Sequence, residues 1–332
     1  MPRTPTNIHL LSLLVTAILF LPAPSSLSAG EWFKDPKTGC AVWADHPKSD
    51  IPMSYNGPCV AGKAEGEGEA RWHVEEQTVS HYKGGFLAGK MNGNGVLDRG
   101  WEKHEGRFRH GKKHGRGVEI SNDGNFRYEG QWIDGEMNGP GVIDLALEAI
   151  SEFTIHYEGE ILDYEPHGCG VWTTSNGSRY EGEYRHGKKH GFGRYVLGSY
   201  GDVYEGSWKD GRYNGHGVFT SSDGTRHEGG YKKGWKHGKG VTTYADGGRY
   251  EGGFDNDSRH GYGVRVYADG TRYEGEYRHG NENGMGVYTA ADGTRIEGLF
   301  REGLPVGPVE IVYPDGTREN AIYERGTFKK AE

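Results

Sequence analysis

The chain has 332 residues and a formal net charge of −8 at pH 7, from 39 Lys and Arg against 47 Asp and Glu. The excess of negative charge disfavours general affinity for nucleic acid, and a hydrophobic content of 33% argues against a thick two-layer core. Disordered segments also have few hydrophobic residues but are poor in aromatics, whereas this sequence has 21 Tyr and 8 Trp. We therefore expect a folded chain with a thin apolar layer.

Residues 1–29 have the pattern of a secretory signal peptide. Arg3 precedes an apolar run from Leu10 to Leu21, and a small, Pro- and Ser-rich segment follows up to Ala29. A membrane-spanning helix needs about 20 apolar residues, so an uncleaved anchor is the less favoured alternative. Cleavage after Ala29, or one residue earlier, predicts an exported protein, periplasmic or secreted.

Residues 30–54 follow no repeated pattern, and we interpret them as an N-terminal cap on the first repeat. Cysteines in an exported chain favour a disulfide, and we predict that Cys40 pairs with Cys59. Closing that loop would stabilise the fold by about 3 kcal/mol in the chain-entropy model. Cys169 is predicted to be a free thiol, with an intermolecular disulfide as the alternative.

A unit of 23 residues recurs through most of the remaining sequence. Its clearest copy contains Tyr180-Glu181-Gly182-Glu183-Tyr184, followed by His190-Gly191-Phe192-Gly193. The copies begin at Tyr55, Tyr82, His104, Tyr128, Tyr157, Tyr180, Tyr204, His227, Tyr250, Tyr273 and Ile296. A fixed period of roughly 20–50 residues is typical of a repeat architecture, in which each unit mainly contacts its neighbours.

Each unit predicts two antiparallel strands. Alternation places Tyr180, Gly182 and Tyr184 on one face of a strand and Glu181 and Glu183 on the other. An aromatic ring can lie over a neighbouring strand where glycine leaves no Cβ in the way, which would form the thin apolar layer. Asp-Gly pairs, in which both positions tolerate positive φ, predict hairpin turns between units. These pairs are Asp223-Gly224, Asp246-Gly247, Asp269-Gly270, Asp292-Gly293 and Asp315-Gly316.

Two stretches depart from the period. The interval from Tyr128 to Tyr157 is six residues longer than the norm, and for residues 142–156 we favour longer strands over a short helix. Residues 299–332 form a degenerate last repeat or cap, in which Pro305 and Pro308 suit an edge strand that recruits no further strand.

The motif Tyr-Glu-Gly-Glu-Trp/Tyr, then Gly, then His-Gly-x-Gly, closely resembles the MORN (membrane occupation and recognition nexus) repeat over residues 55–298. The resemblance implies an all-β fold: an elongated, curved, single-layer sheet of stacked antiparallel β-hairpins with atypical end caps. Members of that family are similar in serving as scaffolds, as membrane-contact modules, or as modules fused to kinases or methyltransferases. We expect no attached catalytic domain here.

Two recurring polar rows invite a chemical interpretation. The carboxylate row comprises Glu129, Glu158, Glu181, Glu205, Glu228, Glu251, Glu274 and Glu297. We interpret it as a solvated face rather than as catalytic acids, with Arg226, Arg249, Arg272 and Arg295 as cross-strand partners. The histidine row comprises His114, His190, His237 and His260, with Asn138, Asn214 and Asn283 in other copies. A residue interchangeable with Asn indicates bonding to a local turn rather than a zinc ligand.

One long edge of the predicted sheet carries basic residues. They are Lys112, Lys113, Arg185, Lys188, Lys189, Lys232, Lys233 and Lys236. Our hypothesis is a discontinuous basic strip for an anionic partner, with a merely solvated rim as the alternative, because Asp134, Glu136, Asp163 and Glu165 interrupt it.

Together these features predict an exported, non-enzymatic scaffold that binds a protein partner through its aromatic face and edges, without a cofactor or metal. The first alternative is binding to anionic lipid or to the surface of the cell envelope. The second is an enzyme, which would need a polar pocket that no spacing here predicts. We expect no nucleic-acid partner, and a homodimer stays open.

Overall fold

The computed structural model describes residues 30–45, 51–147 and 153–330. Every regular element in these ranges is a β-strand, so the predicted all-β fold is confirmed. The predicted signal peptide lies outside the described residues. The chain divides into two compact units, unit 1 (Met1–Lys188) and unit 2 (Lys189–Glu332).

Unit 1 contains an antiparallel meander behind a short N-terminal arrangement of strands. Its strands are β1 (Glu31–Lys34), β2 (Ala41–Ala44), β3 (Met53–Asn56), β4 (Cys59–Val60), β5 (Lys63–Ala64), β6 (Gly66–Val74), β7 (Gln77–Leu87), β8 (Lys90–Asp98), β9 (Glu102–Arg109), β10 (Lys112–Ser121), β11 (Phe126–Ile133), β12 (Glu136–Leu147), β13 (Phe153–Leu162), β14 (Glu165–Thr174) and β15 (Arg179–Arg185). Each strand from β6 to β14 pairs antiparallel with the next one. Strand β2 pairs with β1 and makes single parallel bridges to β5 and β8.

Unit 2 contains a second meander. Its strands are β16 (Lys188–Leu197), which begins one residue before the boundary, β17 (Asp202–Lys209), β18 (Arg212–Thr220), β19 (Arg226–Lys232), β20 (Trp235–Thr243), β21 (Arg249–Asp255), β22 (Ser258–Val266), β23 (Arg272–Arg278), β24 (Asn281–Thr289), β25 (Arg295–Arg301), β26 (Leu304–Val312), β27 (Arg318–Glu324) and β28 (Thr327–Lys330). Each of these strands pairs antiparallel with the next.

Glycine faces glycine across each pair of repeat strands. In unit 2 the column runs through Gly193, Gly206, Gly217, Gly229, Gly240, Gly252, Gly263, Gly275, Gly286 and Gly298. The Tyr250 ring covers Gly252 and Gly263: a Cβ on Gly252 would lie 2.5 Å from the Tyr250 hydroxyl, and one on Gly263 would lie 2.7 Å from two of its ring carbons. The predicted packing of aromatic rings on bare backbone is therefore confirmed.

The tyrosine rings also bond to the backbone and to one another. The Tyr250 hydroxyl donates to the carbonyl of Gly253 at 3.0 Å, and the same contact, three residues along the chain, recurs in seven other copies. The Tyr250 ring meets Phe254 and Tyr277 edge to face, each at 5.2 Å between centroids. The tyrosines that cover the glycines thus bond their hydroxyls to the backbone while their rings exclude water from it.

The two rows of turns have different backbone conformations. Between β19 and β20, Lys233 (φ 54°) and Gly234 (φ 95°) both take positive φ, as a two-residue type I′ turn requires. In the Asp-Gly turns only the glycine does: Gly224 (φ 92°) donates to Ser221, and the Asp223 carboxylate accepts the amide of Thr225 at 2.7 Å. The Asp-Gly pairs do form turns, as predicted, within a longer loop in which only the glycine needs positive φ.

The irregular interval in unit 1 is built from long strands. Strand β12 has 12 residues and β13 has 10, and they pair in register from Gly139–Ile161 to Leu147–Phe153. The interpretation as longer strands is confirmed over these residues, and residues 148–152 lie outside the described part of the chain.

The N-terminal end of unit 1 has a denser core than the repeats. Phe33, Val42, Met53 and Trp72 are all buried in one cluster with Cys40. Cys40 is bonded to Cys59 with 5.9 Å between their Cα atoms, which confirms the predicted disulfide. Cys169 is a free, exposed thiol, as predicted.

Candidate binding surfaces

The ring-bearing side of the sheet, here called the inner face, offers little aromatic surface to a partner. The repeated tyrosines Tyr180, Tyr204, Tyr250 and Tyr273 are each 0% exposed. This corrects the expectation that the aromatic face itself makes the contact, since covering glycine backbone leaves these rings no accessible surface.

Histidine replaces the tyrosine in two copies. His104 in unit 1 and His227 in unit 2 are both buried, and burial lowers the pKa of each imidazole to about 3. Nδ1 of His227 lies 2.8 Å from the hydroxyl of Thr242, and its Nε2 has no hydrogen-bond partner among the described residues. Both rings are therefore neutral packing groups at physiological pH.

The predicted basic strip divides into two kinds of residue. Exposed side chains on the turn edge are Lys112, Arg185, Lys188, Lys232 and Lys233. The other three turn onto the inner face: the ammonium of Lys113 lies 4.7 Å from the Trp132 ring, that of Lys189 lies 3.7 Å from Tyr195, and that of Lys236 lies 6.0 Å from Phe254.

The position of Lys113, Lys189 and Lys236 on the predicted edge is thus corrected. After a two-residue turn, the second residue of the following strand lies opposite a ring-bearing residue of the preceding strand. Lys113 pairs with Phe108 in this way, and Lys236 pairs with Tyr231. Burial lowers the pKa of Lys189 to about 7.

A buried charged cluster surrounds Lys113 in unit 1. Its ammonium donates to the carboxylates of Glu119 and Glu102, the latter at 3.3 Å. Burial raises the pKa of Glu119, while the neighbouring Lys113 opposes that shift. Arg99 also lies 3.4 Å from Glu102, so two cations face two carboxylates and the cluster is a structural element of the fold.

The carboxylate row lies on the outer face, which is the side opposite the rings, and most of its members pair with an arginine of their own strand. Arg226 lies 2.7 Å from Glu228 and Arg249 lies 2.6 Å from Glu251, each two residues along the same strand. Our expectation of cross-strand partners for these arginines was wrong, because residues i and i+2 already share a face. Pairs this exposed contribute about 0–1 kcal/mol each and mark a solvated surface.

The histidine row bonds to turns, as the exchange with asparagine indicates. His114 Nδ1 lies 3.5 Å from the Asp134 amide, and the side-chain oxygen of Asn138 accepts the Asp163 amide at 3.3 Å. Within residues 30–45, 51–147 and 153–330, no cluster of three His, Cys, Asp or Glu could hold a metal ion. No helix in the same ranges is long and apolar enough to cross a membrane.

An outer apolar row, defined as Tyr262, Met285, Leu299 and Ile322, interrupts the charged outer face of unit 2. Tyr262 is 61% exposed and Met285 is 57% exposed. Met285 lies directly opposite Leu299, and Ile322 directly opposite Pro308 on the next strand pair. This row was not predicted from the sequence, although Tyr262 and Met285 occupy the variable position of the Gly-x-Gly motif, which projects away from the rings.

A cationic cleft, defined as Lys236, Arg259 and Arg265 with Tyr244 and Tyr267, opens on the inner face of the same unit. It has a volume of about 360 Å³. The Arg265 guanidinium lies 3.7 Å from the Tyr244 ring and 4.9 Å from Tyr267, and the residue is 7% exposed. This cleft was not predicted from the sequence either: Lys236 was placed on the turn edge, and Arg265 stands where other copies carry aromatic residues such as Tyr195 and Tyr288.

The family model described as MORN repeat matches residues 82–100, 104–126, 128–146, 157–179, 180–201, 204–226, 227–249, 250–272 and 273–295. The copy that begins at Tyr55 lies outside these segments. A comparison with curated proteins gives no match.

Two solved structures are similar at low identity. One is the TCP domain of SAS-4 (dCPAP) of Drosophila melanogaster in complex with a proline-rich motif of Ana2 (dSTIL). The identity is 14%, the match covers 47% of this chain and 85% of that chain, and the TM-score is 0.31. The other is streptogramin B lyase, with 9% identity, 70% and 80% coverage and a TM-score of 0.16. Likenesses this weak carry no argument about function.

Proposed function

The chain belongs to the MORN repeat family, and from this membership we propose that it is a non-enzymatic, exported scaffold that binds a protein partner. A repeat-based binding or scaffold role is what this family suggests, and its repeats are generally non-catalytic. The partner would contact the outer face of unit 2.

The observation that carries this proposal is the outer apolar row. Exposed apolar side chains surrounded by polar ones are typical of protein interaction sites, whose centres are depleted in charge. Around Tyr262 and Met285 the surface is charged, with Arg272 paired to Glu274 at 2.5 Å and the exposed Glu276 directly opposite Tyr262. Met285 and Leu299 would be the anchors, and the paired charges would form the rim.

Export is supported by the disulfide. A bond between Cys40 and Cys59 is compatible with an oxidising compartment, such as a periplasm or the extracellular space. Peptide sequencing of the N-terminus of the protein recovered from its cells would test this part, and we expect the mature chain to begin at or next to Gly30.

The binding proposal is tested by capturing partners from the native exported fraction on the wild-type chain and on a Met285→Ser, Leu299→Ser double variant. Leu304→Ser is the matched control, because Leu304 is 58% exposed but lies at a turn. We expect one saturable partner whose binding is lost in the double variant and retained in the control. Equal binding by all three chains would contradict the proposal.

A second candidate is attachment to an anionic lipid or envelope surface through the exposed edge residues. The observation in its favour is that two exposed lysines are adjacent at one turn: Lys232 ends β19, and Lys233 is the first turn residue. Co-sedimentation with vesicles containing anionic lipid tests it. Binding that falls with salt and with Lys232→Gln, Lys233→Gln would favour this candidate over a protein partner.

A further inference from the structure

We propose that the cationic cleft of unit 2 is a binding site for a carboxylate group, of the kind presented by an acidic peptide side chain. This inference concerns the inner face and does not depend on the outer apolar row. It arises from three positive side chains that share one small cleft and, among the described residues, make no ion pair within 4.0 Å.

The cleft lies across three neighbouring strands. Lys236 extends from β20, and Arg259 and Arg265 extend from β22, on either side of β21 with its buried Phe254. Arg265 lies directly opposite Tyr250, so its side chain runs along the layer of rings. The three cations are therefore held on one face by the same alternation that places the tyrosines.

None of these three cations makes an ion pair within 4.0 Å among the residues that the structure describes. The outer-face arginines on the neighbouring strands differ, since Arg249 pairs with Glu251 and Arg272 with Glu274. Arg265 is the extreme case, because its Nε and Nη1 are buried and have no hydrogen-bond partner in the described residues. An unpaired buried charge is costly, and a bound anion would remove that cost.

The acids around the cleft are engaged with neutral donors. Asp257 accepts the backbone amide of Lys236 at 2.6 Å, Glu282 accepts the hydroxyl of Tyr267 at 3.0 Å, and Asp246 accepts the amide of Gly248 at 2.8 Å in an exposed turn. These bonds fix the carboxylates in place at more than 4.0 Å from the cations. The cleft thus keeps donor capacity that a ligand can use.

The charge count favours a carboxylate over a phosphate monoester. Asp257 and Glu282 are half-buried beside the cations, whereas Asp246 lies in an exposed turn where solvent screens its charge. Three cations less the two half-buried acids leave one net positive charge, which a single carboxylate balances. A dianionic phosphate would bring one negative charge more than the cleft balances. The rings of Tyr244 and Tyr267 hold the Arg265 guanidinium flat and supply apolar walls for the rest of a peptide.

The test is a titration of the full chain with the blocked peptide acetyl-Gly-Glu-Gly-amide, followed by the NMR signal of the Arg265 Nε–H group. The matched peptide acetyl-Gly-Gln-Gly-amide, acetate and inorganic phosphate are titrated in parallel. We expect saturable shifts with the glutamate peptide and with acetate, each of which presents one carboxylate, and weaker or no binding of the glutamine peptide and of phosphate. Stronger binding of the glutamate peptide than of acetate would identify a peptide as the natural source.

Variants assign the binding to the cleft. Arg265→Gln and Lys236→Met should each weaken the affinity for the glutamate peptide by about tenfold or more, because a charged partner is lost. Arg226→Gln, on the outer face of the neighbouring strand β19, should leave the affinity unchanged. If Arg265→Gln does not fold, as circular dichroism would reveal, Lys236→Met decides the question. No saturable shift, equal binding of both peptides, tighter binding of phosphate, or wild-type affinity in the folded cleft variants would each overturn the proposal.

Discussion

The N-terminal end of unit 1 and the hairpins of unit 2 bury apolar surface in different ways. The N-terminal end buries mixed apolar side chains, among them Val42, Met53 and Trp72, and adds the Cys40–Cys59 bond. The hairpins bury one ring per strand pair over two glycines, as Tyr250 does over Gly252 and Gly263. A weakly hydrophobic chain can thus form a stable sheet, provided that the ring and the bare backbone occur together.

The C-terminal end of unit 2 sharpens this comparison. Ile296 stands where the other copies have Tyr or His, and the glycine column ends there, with Val309 opposite Gly298 and Ala321 opposite Val309. Side chains with a Cβ enter the column where the ring is absent. The glycines are therefore required by the rings and not by the strands themselves.

Removing a ring should have the largest effect. Tyr250→Ala deletes the cover over two glycines, and we expect it to lower the free energy of unfolding of unit 2 by about 3–5 kcal/mol. Urea denaturation followed by circular dichroism measures this. Tyr262→Ala, at an exposed ring on the outer face, is the control and should change stability by less than about 0.5 kcal/mol. Similar losses in the two variants would remove the distinction between the faces.

Removing the disulfide should destabilise only the N-terminal end of unit 1. We expect Cys40→Ser, Cys59→Ser to destabilise unit 1 by about 3 kcal/mol, since the loop between the two residues is no longer closed in the unfolded chain. Hydrogen exchange resolved by region checks this: protection should fall around Val42 and Met53 and stay unchanged around Tyr250. Loss of protection around Tyr250 would contradict the division.

Removing one hydroxyl should have a smaller effect. Tyr250→Phe keeps the ring but loses the bond to the Gly253 carbonyl, for an expected cost of about 1 kcal/mol. The same denaturation experiment measures it. A cost as large as that of Tyr250→Ala would mean that the hydrogen bond, and not the covering ring, stabilises the sheet.

The buried histidines predict a loss of stability at acidic pH. The folded-state pKa of His227, about 3, lies below its ordinary value of 6.5. Between these two pKa values the imidazole is protonated in the unfolded chain and neutral in the folded chain. The contribution of His227 to the free energy of unfolding is therefore complete above pH 6.5 and is lost as pH falls towards 3. His227→Tyr should flatten the pH dependence of stability between pH 6.5 and 4, measured by urea midpoints. An unchanged slope would contradict the assignment.

The sequence could predict those features that depend on local alternation. The period and the Tyr-Glu-Gly pattern fix which side chains share a face, so the strands, the long β12–β13 pair and the ring over glycine were all predictable. The turn geometry was not, because the Asp-Gly pairs favour the shorter turn, whereas the two-residue turns lie on the other edge, at pairs such as Lys233-Gly234.

The turn length also decides which lysines lie on the inner face, and this is why their positions were predicted wrongly. Once the two-residue turns are known, counting from each turn places Lys189 and Lys236 on the inner face rather than on the edge. The cationic cleft needs one step more, since it combines side chains of β20 and β22 that are 29 residues apart, Lys236 and Arg265. Only the register across β21 brings them together.

The most direct test of the central claim is a double-mutant cycle between ring and glycine. Gly263→Ala in the wild-type chain places a methyl group against the Tyr250 ring and should cost about 1–3 kcal/mol of unfolding free energy. In a Tyr250→Ile background, which imitates Ile296, we predict that the same substitution costs almost nothing or stabilises the sheet. An equal cost in both backgrounds would show that the strand needs glycine for its own sake, and would contradict the account.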